Sequence, residues 1–420
     1  MVCISEVCRL GVVSLVLGAG SAMAQELARF AVEIDPGEHD RAFSTVTAEL
    51  EGGRHFDGER LATSGPSWAA VVRDAHGEVR PAQAEARRDE DGRIAALLVH
   101  WVEERLAAKT PRTLVLELSP DPQRPPSDRA SFRLADEEDA RTLLFGERAI
   151  WRHEIGFDPE RIEGTYKTFH HLLDGETVLT KGPGGLYPHH RGLFVGWSQT
   201  RSGGARHNFW WNADGAEHHQ RHAGFVEGEA LAGTVRARSV SRVEWTSGGD
   251  PIVVERRRVS TWSLGAGRWA HDFDLTLRGV SGEVRLDGDP AHAGFQFRAA
   301  QEVAEREDCT YVLPASATGG ENDTWSDCPW AAGHIFVGGR AFWIVHMDAP
   351  SNPRPTVYNT RSYGRFGAFF RATIPSGEEL SLRYRVLVMD AGLAGELERA
   401  DFERAFAGFA APLSVVVKNS

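Results

Sequence analysis

Ile252-Val-Val-Glu-Arg-Arg-Arg-Val-Ser-Thr-Trp-Ser-Leu264 and, past Gly265-Ala-Gly267, Trp269-Ala-His-Asp-Phe-Asp-Leu-Thr-Leu277 read as two strands separated by a glycine turn. The same signal recurs at Val235–Val243, Ile335–His346 and Leu380–Met389, with strand-like runs every 8–15 residues from about residue 130 onward. The 44 glycines concentrate at the turns. Long segments of 3.6-residue period are nearly absent, Glu396–Phe409 being the exception. Strands without helices must bury their apolar faces against one another, so the expected fold is all-β. The architecture expected over residues 130–420 is a large antiparallel β-sandwich, supersandwich-like. No repeat of fixed period points to a propeller.

Upstream, residues 25–118 alternate short apolar runs (Phe30–Ile34, Trp68–Val72, Ile94–Trp101, Thr113–Leu118) with Gly, Asp and Pro turns, the pattern of a small N-terminal β domain. Residues 119–129 hold four prolines, which cannot continue a ladder, and read as extended linker. Residues 1–24 read as a secretory signal peptide. Arg9 supplies the positive charge, Leu10–Gly18 the apolar run and Ala22-Met23-Ala24 the cleavage site. That run is too short to span a bilayer, which takes about 20 apolar residues. The expected destination is periplasmic or extracellular.

The chain has 420 residues, 41% hydrophobic and 25% charged, with 47 Lys and Arg against 59 Asp and Glu. A net charge of −12 with scattered arginines gives no electrostatic footprint for nucleic acid or an anionic membrane. Beyond residue 24 two cysteines remain, Cys309 and Cys328, flanking a loop rich in Gly, Ser, Asn and Asp. In an exported protein they are expected to form a disulfide, with two buried free thiols as the alternative.

Histidine is the informative residue. Eight of 17 lie between His170 and His222, beside Tyr166, Tyr187, Trp197, Trp210 and Trp211. Imidazoles titrate near neutral pH and bind metals. Aromatic rings beside them offer flat apolar faces to a ligand. Pro188-His189-His190-Arg191-Gly192 precedes the apolar run Leu193–Trp197, a strand entrance. If extended, it puts His189 and Arg191 on one side and His190 on the other. This suggests an acid/base role for His190 or His189 and an anion clamp at Arg191. His218-His-Gln-Arg-His222 has metal-compatible spacing only as a loop or single turn, and no His-Glu-x-x-His or Cys pair accompanies it. No cofactor is favoured. Were a transition metal bound, His171, His189 and His222 would be the ligands to expect.

Farther on, Phe295 and Phe297 share one strand face while Gln296 and Arg298 share the other. Arg361-Ser-Tyr-Gly-Arg365 places Arg361 and Tyr363 on one face if extended, a pairing suited to a carboxylate beside a phenol. A Gly-x-Ser-x-Gly elbow and a paired-carboxylate signature are both missing, which argues against a plain hydrolase.

Together, Phe169-His-His171, Leu179-Thr180, Pro188-His-His-Arg-Gly-Leu-Phe-Val-Gly-Trp197, Phe209-Trp210, Asp348-Ala-Pro-Ser-Asn-Pro353 and Arg361-Ser-Tyr-Gly364 resemble the motifs of exported bacterial "methane oxygenase PmoA-like" proteins, a domain of unknown function. The resemblance spans roughly residues 140–392. Leu186-Tyr187 stands where that pattern has Asp-His, and Ala349 where it has His, so two imidazoles are missing. The resemblance implies a secreted β-sandwich acting on glycans.

Three functional expectations follow. The first is an exported carbohydrate-active enzyme acting on an anionic or oxidised glycan by histidine-assisted elimination or hydrolysis. Its catalytic candidates are His189, His190, Arg191, His222 and Tyr363. Its substrate-binding candidates are His171, Trp197, His207, Trp210, Trp211, Arg298, Asn352 and Arg361. The second is a non-catalytic glycan-binding protein with Trp197, Trp210 and Trp211 as a stacking platform. The third is the copper- or iron-dependent oxidase that the resembled family's name suggests.

Overall fold

A computed structural model describes residues 28–56, 68–119, 130–211, 217–411 and 413–419. The expected leader at 1–24 and most of the proline-rich linker (residues 120–129) lie outside the described residues. No helix among the described residues is long and apolar enough to cross a membrane.

The fold is all-β. Two large antiparallel sheets pack face to face as the expected sandwich. One, here called the site sheet, has eleven strands. Its centre runs Val357–Arg361, Arg365–Phe369, Ala293–Arg298, Leu193–Trp197, Phe169–Asp174, Arg148–Glu154. The other, the backing sheet, has nine strands, with Arg236–Ser247, Asp250–Ser263, Arg268–Gly279, Glu379–Asp390 and Arg340–Asp348 at its centre. The run expected as Ile335–His346 is two strands, Trp330–Val337 and Arg340–Asp348, because Gly338 and Gly339 both take positive φ and turn the chain.

Strand parity decides what lies between the sheets. Leu193, Val195, Phe295, Phe297, Phe366 and Ala368 of the site sheet meet Val243, Trp245, Val259, Phe273, Leu275 and Val386 of the backing sheet in one buried core. The opposite face of the site sheet carries Phe194, Gln296, Arg298, Gly367, Arg365 and Asn359, and loops cover it. Glycines make that sheet possible. At Gly294 (φ +90°) an added Cβ would stand 2.0 Å from the Ala368 carbonyl oxygen.

A separate seven-stranded sheet holds the N-terminal strands around its own core, including Val32, Val46, Leu50, Val99, Trp101 and Leu116. Its last strand is the C-terminal segment Ser414–Asn419, paired antiparallel with Ala28–Asp35 from Phe30↔Asn419 to Asp35↔Ser414. The helix Arg399–Ala410 packs on the strand Arg41–Glu51, where Arg41 donates to the carbonyls of Ala407 and Ala411.

The expected disulfide is not formed. Cys309 and Cys328 are both buried free thiols, and burial pushes each up to about 12. The reason is register. Thr310–Val312 pairs antiparallel with Ala332–His334, and Cys309 and Cys328 lie beyond opposite ends of that pairing.

Candidate active site

The segment Pro188–Gly192 is not extended. It is a turn in which His190 N donates to the Tyr187 carbonyl at 2.9 Å, and the strand begins at Leu193. The turn carries His189 and His190 over the outer face of the site sheet. His190 is 7% exposed and stacks with Tyr187 (centroids 4.9 Å) and with Tyr363 (5.9 Å). Tyr363 occupies the tight Ser362-Tyr-Gly364 turn between two neighbouring strands of that sheet. His189 is half-buried and packs on Trp211 at 5.1 Å, which in turn meets His292 at 5.5 Å.

Beneath these rings lies a bed of buried cations. Arg298 and Arg365 are directly opposed across the ladder, 1% and 3% exposed, and Arg361 follows as the next cross-strand partner of Arg365. Lys167 stands over the Phe194 ring at 3.4 Å, and Arg298 over Trp210 at 5.2 Å. Arg191 is fully buried against Tyr166. Every hydrogen-bond acceptor of Lys167, Arg191, Arg298 and Arg365 among the described residues is a carbonyl or amide oxygen. Among the described residues no carboxylate forms an ion pair with them, in a chain whose net charge is −12. Among the same residues, buried nitrogens remain without a partner: Arg298 Nε and Nη2, Arg365 Nε and Arg191 Nε.

The electrostatic consequences are uniform. Burial, then the Arg191 and Arg298 charges, hold Lys167 well below its ordinary range. Burial, with Arg298, His189 and Arg365 next in weight, pushes His190 down, so its imidazole is neutral at pH 7. His189 is lowered to about 4 by burial and the Lys167 charge. Burial and, next, the Arg365 charge lower Arg298, the second a repulsion between opposed strands that a bound anion would relieve.

Several candidate residues go elsewhere. Arg191 does not present a clamp to solvent. Its guanidinium donates to the carbonyls of Pro188, His190 and Glu163, and so pins the turn that carries the histidines. Beside that anchor, a cavity of about 480 Å³ is lined by Glu160–Thr165 and Pro183. Trp197 faces the core, donating to the Phe370 carbonyl at 3.0 Å, and Trp210 is also buried; only Trp211 of the three indoles is partly open, so no three-ring platform forms. His222 lies on the edge strand His218–Phe225 of the backing sheet, against Phe225 and His153. His207 packs on Phe209 and His218. Asn352 braces a corner, donating to Asp348 at 2.7 Å and accepting from Arg383 N at 2.8 Å. Arg361 is occupied by the Asn322 carbonyl and Asp323.

His171 lies on the outer face with Nδ1 2.9 Å from Thr180 Oγ1, so His171, His189 and His222 stand in three separate settings. Among the described residues no three His, Cys, Asp or Glu side chains gather as a metal site. A second cavity, about 430 Å³, lies between the N-terminal sheet and the backing sheet. There Asp272 is already engaged by Arg385 and Trp262. Lys167, Arg365, Tyr187 and His292 complete the site without having been candidates.

A family profile spans residues 141–406, taking in the whole cation bed and the rings above it. The chain belongs to the family of unknown function DUF6807. This corrects the resemblance to the PmoA-like proteins, since the family found over those motifs is DUF6807. No curated protein matches the sequence. Among solved structures, a protein in glycosyl hydrolase family 38 from Enterococcus faecalis aligns with 9% identity and a TM-score of 0.43, over 93% of this chain and 47% of that one. The chain thus spans about half the length of that protein, and a likeness this distant carries no argument about activity.

Proposed function

We propose that this DUF6807 member is an exported enzyme acting on an anionic carbohydrate, with His190 as the proton-transferring group and Tyr363 beside it. The observation that carries the reading is the bed of four buried cations with no carboxylate partner among the described residues. Buried charges are ordinarily paired, and an unpaired set is costly unless a ligand completes it. His190, packed beside the Tyr187–Tyr363 pair above that bed, is neutral at pH 7, and an anion bound to the bed would offset the charges that depress it and restore its affinity for a proton. The half-exposed Trp211 and Tyr187 supply flat apolar surface of the kind sugars pack against.

The test is turnover of a panel of uronate-containing and sulfated oligosaccharides by the purified mature chain. His190→Ala is expected to lower turnover about 10²- to 10⁴-fold while the unfolding transition stays in place. Full activity in that variant would refute the assignment.

A further inference from the structure

We propose that Arg298 and Arg365 seat a carboxylate, so that the substrate is a uronate and the reaction is β-elimination. This rests on reading the outer face of the site sheet around His190 as an anionic-sugar site. Its basis is a set of donors that are buried and unpartnered among the described residues. Arg298 spends Nη1 on Gln296 Oε1 (3.1 Å) and the Phe297 carbonyl (2.9 Å), while its Nε and Nη2 have no partner among the described residues. Those two nitrogens form the edge of a guanidinium that donates in parallel to both oxygens of a planar carboxylate. Arg365 spends Nη1 on the Ala291 carbonyl and Nη2 on Asn359, and keeps Nε free. The ladder register sets the two residues directly opposite each other, and the Arg365 charge bears on Arg298. Tyr363 links this seat to the base. Its ring centre lies 5.7 Å from the Arg365 guanidinium carbon and 5.9 Å from the His190 ring.

Seating a uronate carboxylate between two cations withdraws charge from it and acidifies the hydrogen on the adjoining sugar carbon. Neutral His190 takes that proton. The C–H electron pair becomes a double bond to the next ring carbon, and the C–O bond to the leaving sugar breaks with its pair. The leaving oxygen takes a proton from the Tyr363 hydroxyl, which regains one from histidinium. Water is not consumed, and the product is an unsaturated uronate that absorbs in the ultraviolet.

The experiment uses the mature chain with three probes, galacturonate, galactose and inorganic sulfate, each followed by calorimetric titration. An oligogalacturonate is assayed by ultraviolet absorbance. Galacturonate is expected to bind at least tenfold more tightly than galactose or sulfate. Arg298→Lys, which keeps the charge but loses the fork, is expected to remove that preference. Arg365→Gln is expected to weaken galacturonate at least tenfold while raising the melting temperature of the free protein by about 2–4 °C, because like charges no longer oppose each other. A purely structural arginine would lower it. Sulfate binding as tightly as galacturonate would overturn the carboxylate seat yet leave the anionic-site reading standing. Galactose binding as tightly as either would overturn both. Turnover that releases a saturated reducing end would overturn the elimination alone.

Discussion

His170 and His171 are neighbours in sequence and strangers in space. Strand parity sends His170 into the core, stacked on His153 at 4.0 Å, and His171 outward under Gly182. The histidine-rich stretch was legible in the sequence, but its dispersal over two faces and two sheets depends on long-range pairing. His189, His190 and Tyr363 do converge, because a turn and a tight hairpin bring them over one patch. The arginine pair beneath was hidden for the same reason. Arg298 and Arg365 are 67 positions apart (365 − 298), and only the ladder makes them opposites. Gly294 shows how closely that ladder is packed. Gly294→Ala would drive a methyl against the Ala368 carbonyl at φ +90°. The expected cost is about 3 kcal/mol or more, read as a lowered denaturant midpoint or as insoluble product.

Elements were easier to read than sites. Runs of β-branched and aromatic residues between glycine turns mark strands locally, and this signal reaches Asp250–Ser263, Arg268–Gly279 and Glu379–Asp390 with ends shifted by only a few residues. The helix Arg399–Ala410 overlaps the helical period expected over Glu396–Phe409, starting three residues later and ending one residue past it. What local pattern could not give was partnership. Nothing in Ser414-Val-Val-Val-Lys-Asn419 says that it pairs with Ala28–Asp35 rather than with the sandwich that precedes it. Removing residues 413–420 is expected to lower the melting temperature and to speed proteolysis of residues 28–119. Digestion of both forms under native conditions, followed by mass spectrometry, measures this. Equal cleavage rates would show that the strand contributes little.

At the scale of the whole molecule, buried imidazoles set the response to acid. His271 and His346 are 1% and 0% exposed, and burial holds each at about 3. In the unfolded chain a histidine titrates near 6.5, so the unfolded state takes up these protons first. Stability is therefore full above about pH 6.5 and declines as the pH falls toward 3. At pH 5 the two together remove about 4 kcal/mol, roughly 2 each. His153 and His170, also held well below their ordinary value by burial, add to the same slope. Denaturant titrations at pH 7 and pH 5 check this, and equal midpoints would contradict it.

The pairing of Ala28–Asp35 with Ser414–Asn419 also fixes an order of events. The strand Ala28–Asp35 is made early and must wait for Ser414–Asn419 before its sheet is complete. Until then it presents an open hydrogen-bonding edge to whatever else is in solution. The seven-stranded sheet is thus begun before the sandwich strands are made and completed after them. A nascent chain stalled before residue 414 would carry a finished stretch of sandwich behind an unfinished sheet, and a holdase able to cover one bare strand is the help it would need.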